Sequence, residues 1–547
     1  MTWGEMLANL AGGVGLFLLG MTMMTDGLRL AAGPALERIL RAATRTRWHG
    51  LGSGVLVTAL VQSSSAVTVA TIGFVNAGLL SLGGALWVLF GANVGTTMTG
   101  WIVALVGLKF KVEALAMPLV GLGVALHLSG AGKRRGAVGT ALAGFGLLFM
   151  GIALLQQSFG GLASQVELPS GSGVAWVLMQ MLVGVLLTVL MQSSSAAMTV
   201  VLTAAQGGLL TPEGAAAVAI GANIGTTTTA LLATIGATAN ARRAAMAHVM
   251  FNLITAMVAL VLLPWLLGAT RAVGAWLDLP PDPASQLALF HTCFNVLGVA
   301  LMWPLAGRLS AWLQTLFRGA DADAGVPRYF DHTLARVPAL ATEALGHELH
   351  RLGHLADDLL RRVAHGATDE DVKRGHAVFM ALDAAIQQFV QSLSRETMSA
   401  ATSEALARQL RVRGYHQISA DLALAAHAAL GSDESSPPSE RSQVLWSAFV
   451  QALDGVLDAS DPLRQQAPVD PSGAVELGQI EQAHDALTVA HNALKSQWLA
   501  EAASGVLPLS ALDTHLHRAA ALRDAAVHAT KASRWSWRCD DLSHAAV

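Results

Sequence analysis

From Leu51 to Leu108 the sequence has no Asp, Glu, Lys or Arg, and from Gly171 to Ala241 it has one, Glu213. A bilayer crossing takes roughly 20 apolar residues, so each run holds more than one pass through lipid. Both are interrupted by the same polar cluster, Gln62-Ser63-Ser64-Ser65 and Gln192-Ser193-Ser194-Ser195. Residues 50–80 and 172–210 are too long for a single span and broken halfway along. Each reads as a re-entrant hairpin, two half-helices that enter and return on the same side. Polar backbone at that depth is tolerated only where protein or a cavity covers it.

Further apolar stretches lie near residues 4–25, 83–106, 113–131, 137–158, 213–236, 244–268 and 285–315. Only 13% of the chain is charged, against about 25% in soluble domains. The charge is unevenly placed: residues 1–318 carry a net +7 and the remainder a net −10. A membrane part is therefore expected at 1–318, a linker at 319–331 and a helical cytosolic part at 332–547. Cys293 and Cys539 fall in different parts, which fits a reducing compartment better than a disulfide framework. The first residues lack a basic segment, so the first apolar stretch is read as a retained span.

Treating each hairpin as returning to its starting side puts Arg29, Arg38, Arg41, Arg45, Arg47, Lys133, Arg134, Arg135, Arg242, Arg243, Arg308 and Arg318 on one face. Lys109, Lys111 and Arg271 fall on the other. The basic-rich face is the cytoplasmic one, so the N-terminus is expected outside and the tail inside.

The interruption belongs to a longer repeat. Residues 61–97 and 191–227 align without a gap and share 17 of 37 positions, among them Gly91-Ala92-Asn93-x-Gly95-Thr96-Thr97 and Gly221-Ala222-Asn223-x-Gly225-Thr226-Thr227. Gly78-Leu79-Leu80 likewise returns as Gly208-Leu209-Leu210. Three full spans separate the hairpins, an odd number, so the second copy enters from the opposite face. The expected fold is all-α: a polytopic membrane protein with inverted-topology repeats at about 50–131 and 172–268. Its site is expected near the midplane, where the copies meet. That site offers hydroxyls and amides, which donate to an oxyanion, together with oxygens that suit a hard monovalent cation. Against this stands the simpler reading that Ser, Thr and Gly-x-x-x-Gly spacings only pack helices closely; duplication on both hairpins favours function.

Two Gln-Ser-Ser-Ser hairpins with paired Gly-Ala-Asn-x-Gly-Thr segments resemble the type II sodium/phosphate cotransporter family, over about residues 1–318. The resemblance implies a non-enzymatic secondary transporter, with phosphate held by Gln62, Ser63, Ser64, Ser65, Gln192, Ser193, Ser194 and Ser195. It implies co-transported sodium near Gln62, Ser65, Asn93, Thr96, Thr97, Gln192, Ser195, Asn223, Thr226 and Thr227. No metal other than sodium is expected. The continuations Ala66-Val67-Thr68 and Ala196-Ala197-Met198 depart from the Ser/Thr-rich run of animal members.

His248-x-x-Phe251-Asn252 and His291-x-x-Phe294-Asn295 form a second recurring element inside apolar stretches. An ionisable residue there is functional by default, although a hydrogen bond between helices would also account for it. These residues are kept outside the primary site. An intramembrane hydrolase using a serine with either histidine is disfavoured: no carboxylate lies near, and a nucleophile needs one activated serine rather than two symmetric triplets.

From about His332 amphipathic helices follow, interrupted by the polar segment 431–441 and continuing to about residue 531. Position and pattern resemble the PhoU-like domains attached to bacterial members. Glu343, His347, His350, His354 and Asp357 share nearby helix faces; a solvated surface and a metal site are both compatible with them. The acidic balance argues against nucleic acid. The expected partners are inorganic phosphate and the lipid bilayer, with a homo-oligomer open and a bacterial inner membrane as the location. A phosphate-responsive regulatory membrane protein and a phosphate exporter are the alternatives.

Overall fold

The computed structural model describes residues 3–32, 39, 46–76, 80–107, 112–130, 133–163, 173–317 apart from 233 and 236, 324–331, 334–336, 338–395, 398–429, 439–460 and 474–545. Arg38, Arg41, Arg45, Lys109, Lys111, Arg318, the Gly78-Leu79 pair and most of the polar segment 431–441 lie outside the described residues. The described residues are predominantly helical, with no strand among them. The chain divides into two compact units, Met1–Arg318 and Gly319–Val547.

The first unit contains α1 (Trp3–Ala32), α2 (Arg47–Val61), α3 (Ser64–Asn76), α4 (Leu82–Gly95), α5 (Thr97–Trp101), a π-helical turn (Ile102–Gly107), α6 (Val112–Ser129) and α7 (Arg134–Ala163). It continues with α8 (Val174–Met191), α9 (Ser194–Gln206), α10 (Pro212–Leu232), α11 (Ala239–Val261), α12 (Leu263–Trp276) and α13 (Pro283–Thr315). Among the described residues, seven helical segments are long and apolar enough to cross a membrane, so this is an all-α polytopic membrane protein. Three details differ from the sequence reading. The span expected at 244–268 breaks at Leu262, because Pro264 in the first turn of α12 has no N–H to continue the helix. The span expected at 83–106 is interrupted at Thr96 and changes from α- to π-helix at Ile102. The first arm of the second hairpin, α8, is by itself 18 residues long with a mean hydropathy of 2.3, enough to reach across a bilayer.

Local structure repeats with the sequence. α3 and α9 each have 13 residues at an offset of 130. Ser81 and Thr211, also 130 apart, occupy the same capping position: their hydroxyls accept from Gly84 N and Gly214 N at 3.1 Å each. Such a bond satisfies an N–H that the first helical turn leaves over. α2 lies on α4 and α8 on α10, with matching glycines at the crossings. A Cβ on Gly54 would strike the carbonyl of Val88, and one on Gly184 that of Val218. α1 and α7 run antiparallel, Gly13, Gly20 and Gly27 meeting Gly151, Gly144 and Ala137 in reverse order, backbone against backbone. The outer side of α8 presents Leu178, Leu182, Leu186 and Leu190 at a four-residue interval, all exposed, an apolar stripe that belongs against acyl chains rather than water.

The second unit contains α14 (Pro338–Ala364), α15 (Asp369–Leu393), α16 (Ala400–Ala428), α17 (Glu440–Ser460), α18 (Ala474–Ala503) and α19 (Leu509–Ala545). Helix thus runs 14 residues beyond the expected end near 531, to Ala545. The stretch expected as a linker up to 331 is fastened at its far end. Buried Glu348 accepts from the backbone N–H groups of Arg328 (3.0 Å) and Tyr329 (2.9 Å), and Phe330 stacks on Phe389 at 4.1 Å. Arg413 on α16 grips the buried carboxylate of Asp383 on α15 with two nitrogens, at 2.6 and 2.7 Å, and Gln387 adds a third donor at 3.0 Å. Among the described residues no group of three His, Cys, Asp or Glu side chains is placed to hold a metal ion. Tyr329, His347 and His350 instead pack ring to ring.

Candidate functional site

Each polar cluster forms the turn between two helices, and the two turns are built alike. Gln62 ends α2 with φ 57° and ψ 28°; Gln192 ends α8 with φ 51° and ψ 23°. A left-handed residue at this point reverses the chain and lets the next residue cap the following helix. Ser63 Oγ accepts from Ala66 N, and Ser193 Oγ from Ala196 N, at 3.2 Å in both cases. Ser64 and Ser65 then open α3, and Ser194 and Ser195 open α9. The first N–H groups of a helix have no partner within it and carry its positive dipole end. Each turn therefore presents backbone donors and hydroxyls together.

The turns meet. Thr99, on α5, donates its hydroxyl to Gln62 Oε1 at 2.7 Å and lies 3.4 Å from Ser195 Oγ. Gln62 is held from its other side by Nε2 donating to the Ala59 carbonyl at 2.6 Å. The two glutamines differ in access: Gln62 is buried and Gln192 exposed. Behind Gln62 an apolar cavity of about 240 Å³ is lined by Met24, Leu28, Leu60, Ile102 and Phe145 among others.

The Gly-Ala-Asn-x-Gly-Thr-Thr segments lie in α4–α5 and α10. Asn93 and Asn223 are buried, with Thr96 and Thr226 each donating to the asparagine carbonyl three residues back, at 2.6 Å. Thr97 and Thr227 donate in the same way to Val94 and Ile224. One turn before each glutamine, Thr58 and Thr188 bury hydroxyls that have no hydrogen-bond partner, against Gly95 and Gly225. No Lys or Arg lies in the segments that build the turns and these asparagines.

The His-x-x-Phe-Asn elements, which the sequence reading keeps apart, join this assembly. His248 Nε2 is 3.2 Å from Asn93 Oδ1 and 3.1 Å from Asn252 Nδ2. Asn252 also donates to Thr226 Oγ1 at 3.2 Å. Asn223 Nδ2 reaches Asn252 Oδ1 (3.1 Å) and Asn295 Oδ1 (3.3 Å). One buried polar chain thus runs from the first copy to the second. Thr99, Thr58 and Thr188 are site residues that the sequence reading does not reach. For Thr99 a signal exists, because the repeat continues two positions past its aligned end, where Thr99 corresponds to Thr229.

Comparison with known proteins follows the same residues. The family profile described as Na+/Pi-cotransporter matches residues 16–157 and 173–274. A "putative inorganic phosphate export protein YjbB" of Escherichia coli strain K12 is 28% identical over 367 residues, 66% of each chain. The chain therefore spans just under two thirds of the length of that relative. The "uncharacterized protein YqeW" of Bacillus subtilis is 33% identical over 294 residues, 53% of this chain and 91% of the relative. The "sodium-dependent phosphate transport protein 2A" of Rattus norvegicus is 37% identical over 92 residues, 16% of this chain and 14% of that one. No solved structure matches the chain.

Proposed function

The chain belongs to the Na+/Pi-cotransporter family, and on that footing we propose that it carries inorganic phosphate across a bacterial inner membrane, coupled to sodium. The observation that carries this reading is the meeting of the two turns at Thr99, between Gln62 Oε1 and Ser195 Oγ. Phosphate is held by Gln62 to Ser65 and Gln192 to Ser195, where helix N-termini and hydroxyls supply donors. A dianion at the bilayer centre is prohibitively costly unless its charge is offset. With no Lys or Arg in these segments, bound sodium supplies the compensating charge. Its ligands are oxygens of Gln62, Ser65, Asn93, Thr96, Thr97 and their second-copy equivalents.

The two copies act as an inverted repeat with re-entrant hairpins, giving alternating access to one site. The antiparallel packing of α1 on α7 and the matched turns support this. The N-terminus lies outside and the second unit in the cytosol, supported by the bias of basic residues. The second unit serves as a PhoU-like regulatory domain, a role supported by its helical make-up and its position after the membrane part.

Radiolabelled phosphate flux in proteoliposomes, with sodium or choline, tests the proposal. Flux in choline equal to that in sodium would defeat the coupling. The printed name of the Escherichia coli relative favours a second reading for direction, net export. Right-side-out and inside-out vesicles distinguish it from uptake.

A further inference from the structure

The polar chain between the two copies has amide orientations that can be fixed from both ends. Asn295 Nδ2 donates to the backbone carbonyl of His291 at 2.9 Å, so its oxygen is the atom facing Asn223. Asn223 answers with Nδ2, which it also offers to Asn252 Oδ1. Asn252 is thereby obliged to turn its own Nδ2 toward Thr226 and His248. At the other end, Asn93 Nδ2 donates to the Leu89 carbonyl at 3.0 Å, leaving Oδ1 to face His248. The single atom His248 Nε2 therefore stands between an N–H, at 3.1 Å, and a carbonyl oxygen, at 3.2 Å. A neutral imidazole nitrogen either donates or accepts. It can serve one neighbour and must leave the other without its bond.

We propose that His248 is a positioning residue whose two tautomers link the first-copy Asn93 to the second-copy Asn252–Asn223 pair. With the proton on Nε2, the ring donates to Asn93, and Asn252 loses one of its two acceptors, keeping Thr226 Oγ1. With the proton on Nδ1, bare Nε2 accepts from Asn252 and fixes it against Asn223 and Thr226, while Asn93 Oδ1 is released. The proton passes between the ring nitrogens by way of water at the part-exposed ring. A cation drawn to Asn93 Oδ1 replaces the ring N–H as its partner, and so selects the Nδ1–H tautomer. By reciprocity, an ordered Asn252–Asn223 pair strengthens cation binding at Asn93. This rests on the sodium-coupled reading above and adds to it the route by which one copy senses occupancy of the other.

The test is 15N NMR of the full-length, histidine-labelled protein in lipid nanodiscs, in sodium and in choline. The His248 signal is identified by its absence in His248→Asn. We expect Nε2 to resonate as a protonated nitrogen in choline and as a bare one in sodium. In flux assays, His248→Leu should lower apparent sodium affinity about tenfold, the scale of one net hydrogen bond. His248→Gln, whose amide can turn either an N–H or an oxygen toward the pair, should restore most of that loss. An unchanged His248 tautomer in protein whose flux is sodium-dependent overturns the inference and leaves the transport reading standing. Flux indifferent to sodium overturns the coupling itself and this inference with it. Should His248→Leu fail to insert, the wild-type spectra decide alone.

Discussion

Gln62 and Gln192, 130 positions apart, share one left-handed backbone conformation to within 6° in φ and 5° in ψ. That region costs a non-glycine residue about 1–2 kcal/mol, and glycine would occupy it freely. Glutamine at both turns accepts strain in order to keep a side-chain amide there.

Gln62→Gly should accordingly lose only what the side chain's bonds to Thr99 and Ala59 contribute, about 1 kcal/mol each. Relief of strain and the greater unfolded-chain freedom of glycine are each about 1 kcal/mol and oppose one another. Gln62→Ala leaves the strain as it is in the wild type and loses the same bonds, so it should melt close to Gln62→Gly. Both variants, and Gln192→Ala, should weaken apparent affinity for phosphate and sodium together, because each ligand compensates the charge of the other. Thermal melts and flux kinetics over both concentrations separate the two effects. Loss of phosphate affinity with sodium affinity intact would argue against a shared site.

The glycines where hairpin arms cross should be intolerant in a position-specific way. Gly54→Ala and Gly184→Ala drive a methyl into the facing carbonyls of Val88 and Val218, an overpacking worth about 1–3 kcal/mol. Gly52→Ala, with nothing within 4 Å of the added carbon, should be silent. Monodisperse yield and melting temperature of the three variants check this.

In the second unit, Arg413→Ala leaves the Asp383 carboxylate buried without its cation. It should cost about 3–5 kcal/mol. Replacing both residues by leucine should recover most of that loss. Tryptophan-fluorescence unfolding of the single and double variants gives the comparison; equal loss in both would mean that the pair does not act as a pair.

His416 should make the second unit sensitive to acid. Burial, with a smaller contribution from the positive charge of His350, lowers its pKa from 6.5 to about 3. Between those values the unfolded chain binds a proton that the folded chain does not. Stability therefore falls as pH drops from about 6.5 toward 3, by roughly 1.4 kcal/mol for every pH step of one within that window. His416→Gln should flatten that part of the stability curve. A Cβ on Gly353 would lie 2.8 Å from His416 Nε2, so Gly353→Ala should lower stability at every pH. Chemical unfolding of wild type and both variants from pH 4 to 8 reads both effects.

The hairpin turns are legible in the sequence because their signal is local: a polar cluster in an apolar run, copied at fixed spacing. Capping by Ser63 and Ser193 follows from the same few residues. For Thr99 the match to Thr229 marks the position but not its role, because its partner Ser195 is 96 positions away and the tract around it reads as ordinary helix. His248 and Asn252 stand out as a motif but not as part of the site, since their bonds to Asn93 and Asn223 depend on how α4, α10 and α11 pack. Spacing within one helix carries no information about that. The break at Leu262 is written in Pro264, yet a long apolar stretch on both sides disguises it. The fastening of Arg328 and Tyr329 to Glu348 is hidden because a segment rich in Gly, Ala and Asp reads as linker until its neighbour is known.

The seam between α1 and α7 has a mechanical consequence. Where Gly20 and Gly144 bring two backbones into contact, no side chains remain that could exchange rotamers and let one helix slide past the other. The pair therefore behaves as a single strut, to be carried whole or pulled apart at the cost of its entire packing. In the transport cycle proposed above, bending would be taken up elsewhere, at places where helical hydrogen bonding is already irregular. The π-helical turn at Ile102–Gly107, directly after the helix that carries Thr99, and the interruption at Leu262 are two such places.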